Sequence, residues 1–120
     1  MAKRITFEGE LELTHLSMLK AASSREMYVE ELQRLAEKDD RIVFVAGDGG
    51  YGGKENEFRQ KHPDRMLTAG IAEQDQVGIA AGLAYCGKIP YINAFGPFLA
   101  QRSLDQVHTN VAYPNLPVRI

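Results

Sequence analysis

An α/β fold, with a parallel sheet covered by helices on both faces, is predicted by three features of the sequence. Segments of strand and helix character alternate along the chain, Ile42–Ala46 is apolar throughout, and a glycine-rich run follows it directly. Alternation implies crossover helices and hence a parallel sheet. A short strand that is apolar at every position is one buried on both faces. Glycines at its C-terminal end lie where open α/β sheets build their ligand sites. The length of 120 residues suits one domain, and 44% apolar with 25% charged residues excludes disorder, collagen and coiled coil for the chain as a whole. Fourteen Lys and Arg against 16 Asp and Glu leave a net charge of −2, with no footprint for nucleic acid or an anionic membrane. Cys86 is alone and no apolar run reaches the ~18 residues of a spanning helix, so a cytoplasmic protein without a membrane segment is expected.

Residues 1–22 read as an N-terminal arm, in which Leu11 to Lys20 has the pattern of a short amphipathic helix, and residues 23–120 as the domain. Ser23 stands three before Glu26 at capping-box spacing, and Tyr28, Leu32 and Leu35 recur at helical intervals, which predicts a helix over about 24–38. The strand Ile42–Ala46 follows. Glu55–Lys61 reads as a short helix closed by His62-Pro63, Met66–Ala69 as a strand, Glu73–Tyr85 as an Ala- and Gly-rich helix, and Tyr91–Phe95 as a strand after the turn Lys88-Ile89-Pro90. A helix over about 98–110 precedes a last strand, Pro117–Ile120.

The run Gly47–Gly53 fails as a P-loop, because Asp48 stands where the first glycine should be and Glu55 where Ser or Thr should follow Lys54. Gly47, Gly49 and Gly52 have the spacing of a dinucleotide fingerprint, yet the helix opening after them is weak and no acid ends a strand about 20 residues on. As the Gly-Asp-Gly of a diphosphate and magnesium motif it lacks the Asn that would complete the metal shell, and a plain chain reversal also accounts for it. Glu73 and Asp75 suit a helix N-terminus by dipole. Gly78 and Gly82 each cost about 1 kcal/mol relative to Ala; together with Ala81 they suggest a helix closely approached by another element, as at a subunit interface. His15, His62 and His108 have no metal-ligand spacing. His62 reads as a surface turn residue and Cys86 as a small buried one.

Four motifs in order, Gly70-Ile71-Ala72-Glu73-Gln74, Val77–Ala84, Phe95-Gly96-Pro97-Phe98-Leu99 with Arg102 and Asp105-Gln106, and Ala112–Leu116, together resemble the pyrimidine-binding domain of transketolases. The resemblance runs from about Arg25 to Ile120 and is strongest to the C-terminal subunit of split, two-chain transketolases. The chain is also similar, more distantly, to 1-deoxyxylulose-5-phosphate synthase and to the β subunit of 2-oxo acid dehydrogenases. What the resemblance implies is a thiamine-diphosphate enzyme component that moves a two-carbon ketol unit between sugar phosphates. Glu73 is then the catalytic carboxyl that exchanges a proton with N1′ of the cofactor aminopyrimidine. Burial would raise its pKa and the helix N-terminus lower it, and the sequence leaves the outcome open. Phe98, with Phe95 beside it, matches the aromatic that stacks on the ring. By position alone, Glu73 reads first as a helix N-terminal acid and the two phenylalanines as core residues flanking a strand end. Asp48 falls near the cofactor on the pyrimidine side, and Gln101 near the pyrimidine amino group. Mg²⁺ is expected on a partner domain, carried by an N-terminal transketolase subunit that shares the cofactor. On this layout the chain covers the first two-thirds or so of the pyrimidine domain, is inactive alone, and forms a homo- or hetero-oligomer that covers its last strand. The rival expectation is a non-catalytic interaction module.

Overall fold

A computed structural model describes residues 24–47 and 54–120. The arm 1–22, Ser23, and Asp48 with the rest of the glycine-rich run after Gly47 lie outside the described residues. Helix α1 spans Ser24–Ala36, strand β1 Ile42–Gly47, helix α2 Lys54–Lys61, strand β2 Met66–Gly70, helix α3 Glu73–Tyr85 and strand β3 Ile89–Asn93. A helical segment of mixed winding over 98–112, here α4, follows: a π-helical turn Phe98–Arg102, one α turn Leu104–Gln106 and a second π-helical stretch Val107–Ala112.

The strands run parallel in the order β2-β1-β3. All six residues of β1 are buried, as its apolar run predicts. Its side chains divide between two cores. Ile42, Phe44 and Ala46 meet Val29, Leu32 and Ala36 of α1 and Phe58 of α2, whereas Val45 joins Ile92 against Val77, Ala80, Ala81 and Ala84 of α3, with Leu99 and Val111 of α4. Alternating strand side chains thus put helices on both sheet faces. Phe44 packs edge-on to Phe58 at 5.4 Å between ring centres.

Two expectations are corrected. The last strand, Pro117–Ile120, is reduced to one parallel bridge, in which Arg119 N–H donates to Pro90 O and Ile92 N–H to Arg119 O, both at 2.8 Å. β3 begins two residues before the predicted Tyr91. Helix α3 ends in a Schellman motif in which Gly87, at φ 82°, turns the chain and Lys88 N–H returns to Leu83 O, so extension resumes at Ile89. Pro90 is tolerated because its missing N–H would face Arg119 and not β1. The small-residue face of α3 divides: Ala81 is a core residue, while added methyl groups at Gly78 and Gly82 would meet nothing within 4 Å, so a close approach there does not come from a described element of this chain.

His62 and Cys86 are also reassigned. His62 is partly buried, tilted on Phe58 at 5.0 Å with Arg65 at its Nδ1, and Cys86 is exposed.

Candidate active site

The C-terminal ends of the three strands define one edge of the sheet, and the turn into α3 delivers Glu73 to it. Gly70 closes β2 at φ 78°, a conformation that side-chain-bearing residues rarely adopt, and the chain enters α3 at Glu73 two residues after Ile71. Gln76, one turn further on and fully buried, locks that turn to the sheet. Its Nε2 donates to Val45 O of β1 at 2.8 Å and to Asn93 O of β3 at 3.0 Å. Asn93 in turn donates from Nδ2 to buried Glu55 Oε1 of α2 at 2.9 Å. Polar side chains from two helices therefore tie the strand ends together. The sequence signal for Gln76 is a polar residue at the buried positions of α3, which recur as 73, 76, 77, 80, 81 and 84.

Glu73 has a side chain only 7% exposed, and Arg102 Nη1 donates to its Oε2 at 2.7 Å. A hydrogen bond from its own backbone N–H is the main reason that its pKa lies below the usual carboxylate value; burial acts against this, and the bond and charge of Arg102 add to it. The helix N-terminus therefore prevails over burial, and Glu73 is ionised at neutral pH.

Phe98 and Phe95 are not core residues. They are 43% and 63% exposed, in edge-to-face contact at 6.0 Å. The Arg102 guanidinium lies over the Phe98 ring, 4.4 Å from its centre, so one side chain joins Glu73 to Phe98. Gln74 Nε2 holds the Arg102 carbonyl at 3.1 Å. Phe98, Gln101 and Arg102 all belong to the first π-helical turn, a rare winding often found at functional sites. Gln101 is exposed and its amide makes no side-chain hydrogen bond among the described residues, so it is near the cluster without belonging to its described contacts. Asp48 lies outside the described residues. Arg102 is the member whose role the sequence did not single out; its signal is the spacing of four from Phe98, which stacks side chains on one helix face. Among the described residues no three His, Cys, Asp or Glu side chains group so as to hold a metal ion.

The family described as transketolase, pyrimidine binding domain, matches residues 20–120. The chain belongs to this family. The transketolase pyrimidine domain is 42% identical over 96 residues to the 6-deoxy-6-sulfo-D-fructose transketolase subunit of Clostridium sp. (strain MSTE9), over 80% of this chain and 30% of that protein. It is 43% identical over 93 residues to the 1-deoxy-D-xylulose-5-phosphate synthase of Nitratidesulfovibrio vulgaris (strain DP4), over 78% of this chain and 14% of that protein. A solved structure, described as "split gene transketolase, inactive beta4 tetramer", superposes with a TM-score of 0.72 and 36% identity, covering 78% of this chain and 31% of that one. The pyrimidine domain thus spans less than a third of the length of these relatives. Among its described residues no helix is long and apolar enough to cross a membrane.

Proposed function

We propose that this domain binds the aminopyrimidine ring of thiamine diphosphate in a cytoplasmic transketolase that moves a two-carbon ketol unit between sugar phosphates. The observation that carries the reading is the junction of a nearly buried carboxylate, Glu73, with an exposed aromatic, Phe98, through one planar cation at the strand ends. A group that is planar, aromatic and able to donate an N–H suits these side chains. When bound, thiamine diphosphate supplies the carbon nucleophile that carries the two-carbon unit. In this role Glu73 holds or exchanges a proton at N1′ of the ring, Phe98 carries the ring on its face, and Phe95 limits access of water. Asp48 and Gln101 contribute further polar contacts. The diphosphate and Mg²⁺ fall to a partner chain, the N-terminal transketolase subunit, in an oligomer; the likeness to a transketolase subunit and to a split gene transketolase supports this division.

The test is ketol transfer by this chain reconstituted with a diphosphate-domain partner. Glu73→Ala is expected to lower the rate by about 10²–10⁴-fold, the usual contribution of a positioned acid or base. Full activity in that variant, or activity in the chain without a partner, would refute the proposal. A second reading, a subunit of a 1-deoxyxylulose-5-phosphate synthase, is favoured by the synthase among the relatives; activity on that enzyme's substrates and not on ketose phosphates would establish it.

A further inference from the structure

We propose that Arg102 and the aminopyrimidine ring compete for the same two side chains, so that Arg102 sets how tightly the cofactor is held. The inference rests on the reading of Glu73 and Phe98 as ring ligands. A guanidinium is planar, stacks on aromatic faces and donates N–H groups to carboxylates. Arg102 does all of this: Nη1 reaches Glu73 Oε2 at 2.7 Å and the guanidinium carbon lies 4.4 Å from the Phe98 ring centre. It thereby makes the stack and the carboxylate bond that the reading assigns to the ring and its N1′–H. Glu73 is nearly enclosed, with Arg102 on its Oε2, and Phe98 already carries Arg102 over its ring and Phe95 in edge-to-face contact at 6.0 Å.

Arg102 is also free to yield. Its side chain is 46% exposed and, among the described residues, is held by Glu73 and Phe98 alone, while Gln74 anchors its backbone carbonyl. A long, half-exposed side chain in this position gives up its partners at modest cost, since the cation–π contact is weak and the ring N–H takes over the bond to Glu73, so the nearly buried carboxylate is not left unpaired. Arg102 thus keeps a nearly buried carboxylate and an aromatic face covered, and gives them up to a ligand of matching shape and donor pattern.

The test is calorimetric titration of thiamine diphosphate into the assembly of this chain with a diphosphate-domain partner. Arg102→Ala is expected to tighten binding roughly five- to twentyfold, the sum of two modest contacts relieved. Arg102→Lys, which keeps the charge without the stacking plane, should fall between Ala and wild type, and Glu73→Ala should weaken binding. Weaker or unchanged affinity in Arg102→Ala, with Glu73→Ala still weak, would overturn the competition and leave the ring-binding reading standing. Wild-type affinity in both Glu73→Ala and Phe98→Ala would remove that reading and the competition with it. Should Arg102→Ala fail to fold, the Arg102 Nε–H NMR signal of the wild-type assembly decides: it should move on addition of the cofactor, and a signal that stays in place counts against displacement.

Discussion

Phenylalanines in this chain serve two different purposes, and burial separates them. Phe58 is fully buried, edge-on to Phe44 and tilted against His62, so Phe58→Ala should leave a cavity and cost about 3–5 kcal/mol, read as a fall in the urea midpoint. Phe98 is 43% exposed, and Phe98→Ala should cost only about 1 kcal/mol or less in stability while weakening cofactor binding. Equal losses of stability in the two variants would contradict the assignment. Nothing in the sequence separates the two cases, because each is a phenylalanine in a stretch that reads as helix, 55–61 for Phe58 and 98–110 for Phe98, and neither stretch records what covers it. Glu73 is similar: its place at the start of a helix was legible, whereas the balance of its pKa needed the backbone N–H and the Arg102 guanidinium in position.

At the scale of elements, α3 carries the site because its two ends are built differently. Its C-terminus is closed locally, by Gly87, but its N-terminal turn has no side-chain cap and is fastened through Gln76 to two strands. Gln76→Leu should therefore cost about 1–3 kcal/mol, since it removes the amide that bridges the carbonyls of Val45 and Asn93. Denaturant unfolding monitored by circular dichroism tests this, and an unchanged midpoint would show that the strand ends do not depend on the bridge. The periodicity of α3 and the apolar run of β1 were readable because burial imposes them. The π-helical winding of α4 was not, because insertion of one residue per turn depends on what the turn packs against.

At the scale of the whole molecule, the pKa shifts of the described residues that bear on acid stability act in one direction. Burial, aided by Arg65, lowers His62 from 6.5; Arg34 lowers Glu31 from 4.5; and Arg41 holds Asp39 at about 2. Glu73 is lowered from 4.5 as well. Each folded pKa lies below its unfolded value, so the unfolded chain takes up more protons as the medium is acidified. Stability should be complete above about pH 6.5, decline first as His62 charges, and decline further below about pH 4.5 as the carboxylates protonate. Thermal melting temperatures measured from pH 7 to pH 3 should fall throughout, and a flat profile would contradict the assigned shifts.

The sequence by itself determined the order of elements, the parallel sheet with its helix layers, and the motifs of the family, since strand and helix periods and glycine spacing are local properties of the chain. Only the tertiary structure decided that Phe95 and Phe98 face outward, that the last strand is a single bridge at Arg119, and that Arg102 joins Glu73 to Phe98. Those outcomes depend on contacts between segments far apart in the chain. Their energies are set by burial and distance in space, which no local pattern records.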